Sequence, residues 1–216
     1  MNVSEALKMR RSCRAFRPDP VDKDALLAIL DDALRAPSWG NTQPWEIFAA
    51  GGETLREIRE AYLENARNHV PTSFDIPHPR RWPPAAGERT KELSSGVSLL
   101  ADGASKLFGE LNQELFHAPA VIFLCMDKDL TAWSLFDLGA LSQSIMLAAT
   151  ERGLATIPAV QLVRYPEILR GKLDIPDSLS VVIGIAIGYE DTRNPINQLR
   201  STRRPVSDVV RIKGIE

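Results

Sequence analysis

At 216 residues with 44% hydrophobic content, the chain is long enough to bury a full core, which excludes disorder over most of its length. A formal net charge of -2 and a sequence pI near 6.0 create no overall field that would gather nucleic acid or anionic lipid, so any basic cluster serves a local purpose. The N-terminal stretch has no apolar signal core, the most apolar segment, Leu135 to Ala149, is interrupted by Asp137, Ser142, Gln143 and Ser144, and Cys13 and Cys125 are too few for a disulfide framework. A protein of the reducing cytoplasm, with no membrane span and no nucleic-acid partner, is expected.

The opening VSEALKMRRS reads as a short helix with Ser4 as its N-cap, ending near the arginines. PVDKDALLAILDDALRAPS is the clearest amphipathic helix: Leu26, Ile29, Leu30, Ala33 and Leu34 fall at helical spacing, Asp22 can cap it and Pro37 marks its end. WEIFAAGG reads as a strand, and ETLREIREAYLENA as a helix with Leu55, Ile58, Tyr62 and Leu63 on one stripe. From Val70 to Gly87, five prolines exclude regular structure, so a long functional loop is expected there. A helical pattern resumes from Gly87 to Phe116.

APAVIFLCMD is a near-continuous apolar run suited to a central strand buried on both faces. The helix from Trp133 to Arg152 is apolar nearly all round, which calls for burial by the core, by a partner chain, or by both; Gly153 is its stop. YPEILRGKLDIP reads as a short helix and SLSVVIGIAIGYED as another buried strand, in which Gly184 and Gly188 ease packing. No repeat or linker divides the chain, so residues 1–216 are expected to form one domain of α+β class, with helices around a central sheet.

The chain lacks a zinc-protease helix motif, paired CxxC, a Walker loop, a nucleophile elbow and a dinucleotide fingerprint. His69, His78 and His117 have no ligand spacing, so no metal is expected. Cys13 reads as a small filler residue. Two stretches carry chemistry. KMRRSCRAF places Arg10, Arg11, Ser12 and Arg14 together, guanidinium forks and a hydroxyl suited to a phosphate monoester, although a solvated basic face is an equally common fate of such a run. RAPSWGNTQPW presents Ser38, Asn41 and Gln43 from a constrained loop; such amides can read the edge of a planar heterocycle or simply build a turn.

In RRSCRAF and APSWGNTQPW the chain resembles the flavin-dependent nitroreductase family. ERGLATIP, VIGIAIGYED and RSTRRPVSDVV resemble further segments of that family in the expected order. The resemblance implies an α+β fold with a central mixed sheet surrounded by helices, an intertwined homodimer, and one FMN per subunit at the dimer interface. It further implies that Arg10, Arg11, Ser12 and Arg14, with Arg203 from the C-terminal segment, grip the FMN phosphate. Ser38, Asn41 and Gln43 would reach the flavin from the partner subunit, while Pro158, Ala159, Val160 and Gln161 pass beside the ring. Ser201 departs from the pattern, since many relatives place a lysine there.

The implied activity is reduction of nitroaromatic compounds, nitrobenzoates among them, with NADH or NADPH as electron donor in a ping-pong cycle. Flavin N5 carries the chemistry, so no protein residue is assigned as catalytic. Other FMN reactions on this fold, such as flavin or enone reduction and reductive dehalogenation, stay open, as does a non-catalytic FMN- or phosphate-binding module. The resemblance covers the chain outside residues 66–117, which are expected to be a divergent lid. Within it Phe74 and Trp82 could stack on a small aromatic substrate, and Arg81 and Arg89 could meet an acidic substituent.

Overall fold

In the computed structural model, which describes residues 1–215, four strands form one sheet in the order β1-β2-β4-β3: β1 (Glu46–Gly51), β2 (Ala120–Asp127), β3 (Ala155–Ala159) and β4 (Leu179–Gly188). Every pair is antiparallel. The mixed character expected of the sheet is confined to one isolated parallel bridge, Ser12 to Thr156, at its β3 edge.

The continuous apolar run of β2 is explained by burial on both faces, because alternate side chains of a strand point to opposite sides. Val121, Phe123 and Cys125 enter one core with Leu55, Ile58 and Tyr62 of α3 (Gly52–Arg67), Leu111 of α5 (Ala104–Gln113) and Leu169 of α7 (Pro166–Leu173). Ile122, Leu124 and Met126 enter the other, with Ile29 and Ala33 of α2 (Lys23–Ala33) and Leu138, Leu141 and Ile145 of α6 (Ala132–Glu151). The sheet is therefore the middle of three layers.

Several local expectations shift. The first helix, α1 (Val3–Met9), is capped by Asn2 and not by Ser4: Asn2 Oδ1 accepts from the Glu5 amide at 3.0 Å and Glu5 Oε2 accepts from the Asn2 amide at 3.0 Å, a capping box. Asp22 caps α2 as expected, accepting from Ala25 N at 2.9 Å. Pro84 does not exclude structure but begins α4 (Pro84–Ser98), since the first helical turn needs no proline amide. The helical pattern after Gly87 is split between α4 and α5 at Gly103, whose φ of 77° only glycine adopts readily. The strand β3 was not anticipated from the sequence; Pro158 fits within it because the outer side of β3 is met only by the bridge at Thr156, so Pro158 needs no outward donor.

The loop after α3 is anchored along its first half. Tyr165 Oη donates to Val70 O at 3.1 Å, Ser73 N donates to Arg164 O at 3.0 Å, and Asp75 Oδ2 accepts from Arg170 Nη2 and from Val181 N, each at 2.7 Å. Phe74 packs against the core and against the His78 ring at 4.1 Å. These ties hold residues 70–75 against the body of the chain.

Gly184 faces the short 3-10 turn Val160–Val163, and a Cβ there would lie 2.4 Å from Leu162 Cβ. Gly184→Ala is expected to lower stability by about 1–3 kcal/mol in urea unfolding, because neither β4 nor the turn can retreat from its packing. A loss within about 0.5 kcal/mol would show that the turn yields.

Candidate active site

The N-terminal arm leaves α1 at Arg10 and runs beside β3. The Ser12–Thr156 bridge and the bond from Cys13 N to Thr156 O, 2.9 Å, hold it there. Asn197, 4% exposed, ties the same arm to the chain's C-terminal segment: its Oδ1 accepts from Arg14 N at 2.7 Å and Ala15 N at 3.2 Å, and its Nδ2 donates to Ala15 O at 2.7 Å. This hub brings residues 199–203 against the arginines.

The result is a cleft of about 310 Å³ whose lining includes Lys8, Arg10, Arg11, Ser12, Arg14, Arg200 and Arg203, and no carboxylate. Burial, and secondarily the nearby Arg203, hold the Arg10 pKa below its ordinary value. Burial does the same for Arg14, whose Nη1 donates to Ser12 O at 3.1 Å and whose guanidinium lies 6.0 Å over the Phe108 ring. Arg11 forms an ion pair with Glu190, and Arg203 folds back on its own segment, donating to Ser201 Oγ at 2.8 Å. Arg10, Arg11, Ser12, Arg14 and Arg203 are therefore brought together as expected. Lys8, Arg200 and the organising Asn197 were missed; Lys8 and Arg200 are the first residues of the quoted segments KMRRSCRAF and RSTRRPVSDVV, whereas nothing in the sequence marks Asn197.

Pro158 and Ala159 end β3, and Val160 and Gln161 open the turn that follows, so this group neighbours the arm through the β3 edge. Ser38, Asn41 and Gln43 lie elsewhere. They flank or belong to the 3-10 turn Trp39–Asn41, where Gln43 N donates to Ser38 Oγ at 3.0 Å and Asn41 and Gln43 hold φ of 59° and 46°. The Trp39 amide donates to the buried Asp137 Oδ2 at 3.2 Å, tying the turn to α6. Next to it is a separate, mostly apolar cleft of about 420 Å³ lined by Pro37, Ser38, Trp39, Trp133, Phe136 and Asp137, which shares no residue with the arginine cleft.

The four residues expected to meet substrate are not gathered into one site. Phe74 is committed to the core, Arg81 and Trp82 are exposed on the loop, and Arg89 lines a third cleft of about 400 Å³ between α4 and residues 199–202. That cleft adjoins the arginine cleft through Leu199, Arg200 and Ser201.

Both cysteines are free thiols buried in the core. Burial pushes both thiols up to about 12. Neither is expected to be alkylated by iodoacetamide at about pH 8 in the folded protein, and ready labelling of Cys13 would contradict its packing role. The unfolded chain releases these protons from about pH 9.0 while the folded chain holds them toward about 12, so their contribution to stability falls as pH rises through that window.

The family model of the Nitroreductase family matches residues 7–189. A "4-nitrobenzoate reductase" of Pseudomonas putida is 31% identical over 219 aligned residues, covering 96% of this chain and 93% of its own. Among solved structures, the FMN-dependent nitroreductase NfnB from Mycobacterium smegmatis, in complex with NADPH, superposes with a TM-score of 0.89 at 27% identity, covering 98% of this chain and 100% of its own. The FMN- and NADPH-dependent nitroreductase NfnB from sphigopyxis sp. strain HMH gives 0.89 at 28% identity over 100% of both chains. The chain belongs to the nitroreductase family, a class of oxidoreductases.

Proposed function

We propose that the protein is an FMN-dependent, NAD(P)H-consuming nitroreductase that acts as a homodimer on small nitroaromatic compounds, nitrobenzoates in particular. The observation that carries this reading is the arginine cleft, a set of converging cations with no carboxylate in its lining. Such a donor set fits a phosphate dianion, which would relieve the unfavourable proximity of Arg10 and Arg203. Arg10, Arg11, Ser12 and Arg14 would hold the FMN phosphate, joined by Lys8, Arg200 and Arg203. Pro158, Ala159, Val160 and Gln161 would run beside the ring, since β3 leads from the arm toward them.

A bound flavin supplies two-electron transfer between a reduced nicotinamide and an acceptor. The chain's own task is to hold the ring, exclude water and bring the acceptor close. The separation of Ser38, Asn41 and Gln43 from the arginine cleft supports a shared site, in which these residues of one protomer complete the cleft of the other. Exposed Trp133 and Phe136 on α6, and exposed Val206, Val209, Ile212 and Ile215 beyond the cleft, offer apolar surface for that pairing. Arg89, in the adjoining cleft, is the cation best placed to meet a substrate carboxylate. The cytoplasm, which supplies NAD(P)H, is the compartment this reading implies.

Anaerobic addition of NADH or NADPH to the FMN-loaded protein is expected to bleach the flavin absorbance, and 4-nitrobenzoate to restore it. Failure of both donors to bleach would overturn the reading. Sedimentation as a monomer with full activity would overturn the shared site.

A further inference from the structure

We propose that Arg164 is a positioning residue of the flavin site: it pins the turn carrying Val160 and Gln161 to the end of α5, and its charge favours the reduced state of a flavin bound beside that turn. This inference rests on the proposed function, in which residues 158–161 border the flavin ring.

Arg164 is 4% exposed, and among the described residues no carboxylate pairs with it. Its guanidinium instead spends its donors on three main-chain carbonyls: Nη1 donates to Asn112 O at 3.1 Å and to Gln161 O at 3.3 Å, and Nη2 to Gln113 O at 2.8 Å. The first and last of these belong to the final turn of α5, where carbonyls lack helical partners and the helix dipole is negative. The rings of Tyr62 and Tyr165 lie 4.6 and 5.6 Å from the cation. Burial holds its pKa below the ordinary value, yet an arginine starts so high that the charge persists.

The same turn is pinned a second time. Tyr62 Oη donates to Leu162 O at 2.9 Å, one residue beyond the carbonyl held by Arg164. Arg164 also accepts from Ser73 N through its own carbonyl, 3.0 Å, so one residue joins the turn, the end of α5 and the loop after α3. A neutral donor such as glutamine could serve some of the three carbonyls without desolvating an ion, so the hydrogen bonds alone do not require a full charge here. A buried cation lacking an acidic partner, three residues from Gln161 and bonded to its carbonyl, is explained if its positive charge acts on the site. A reduced flavin is more negative than an oxidised one, and charge near its ring nitrogens tunes its potential.

The test uses full-length FMN-loaded protein and Arg164→Met, Arg164→Gln and Arg164→Lys. Flavin fluorescence measures affinity, and equilibration with a reference dye measures the reduced-to-oxidised ratio. Both neutral variants are expected to keep FMN, because the phosphate cleft is untouched, and to lower that ratio at fixed dye potential by about tenfold, or about 30 mV for a two-electron couple. Arg164→Lys, which keeps the charge, is expected to restore most of the loss. Arg164→Gln keeps donors for the carbonyls and serves if Arg164→Met fails to fold. Wild-type ratios in the folded neutral variant overturn the proposal alone; a wild-type protein that binds no FMN overturns the functional reading and the proposal with it.

Discussion

Replacing Arg14 by alanine is expected to weaken FMN binding by about ten- to a hundredfold, the equivalent of a charged hydrogen bond worth about 1.5–3 kcal/mol. Arg14 is half-buried, supported from behind by the Phe108 ring and by Ser12 O, and meets no carboxylate among the described residues, so its orientation is set before any ligand arrives. Such preorganisation lowers the entropy that binding must remove. Arg203 is the contrasting case: it is exposed and already bonded to Ser201 and Thr202, so Arg203→Ala should cost only a few-fold by comparison. Titration of FMN fluorescence at two salt concentrations checks both, because losing a cation should also flatten the salt dependence. Equal affinity of Arg14→Ala and the parent protein would remove the arginine cleft as the phosphate site.

The second large effect is on stability. Asp75→Ala is expected to cost about 3–5 kcal/mol in denaturant unfolding, the usual cost of breaking a buried ion pair from one side. Side-chain exposures of 8% for Arg170 and 15% for Asp75 leave little water to replace the lost partner. Asp75 also accepts from Val181 N, so the substitution orphans a β4 amide as well as a guanidinium. Glu167 and Asp177 lie within ion-pair reach of Arg170 but are almost fully exposed, so they offset little of the loss. The exposed Lys172–Glu57 pair is the control, worth under about 1 kcal/mol. A loss below about 1 kcal/mol for Asp75→Ala would mean that water enters and that the loop is not anchored there. Combining it with Arg170→Met should recover part of the loss, because the second change removes the stranded charge.

Most elements were legible because their signals are local. The stripe of α2, the double-faced apolar run of β2 and the stop at Gly153 each follow from a few neighbouring residues. β3 was not legible: its five residues include a proline, and only pairing with β4 makes them a strand. The anchoring of the loop after α3 was not legible, because Asp75 finds Arg170 and Val181 about a hundred positions away, and spacing carries no trace of such a pair. The packing of Phe74 against the core was not legible for the same reason, since an aromatic side chain in a proline-rich loop can face a ligand or the core.

The sequence alone determined the basic arm, the polar turn after α2 and the two buried strands, because each depends on the types and spacing of adjacent residues. Only the tertiary structure decided that Lys8 and Arg200 join the arginines, that Asn197 holds the two ends of the chain together, and that Arg164 stands behind Gln161. Those choices belong to contacts between residues far apart in the chain, where burial and hydrogen-bond satisfaction settle the arrangement only once the layers have closed.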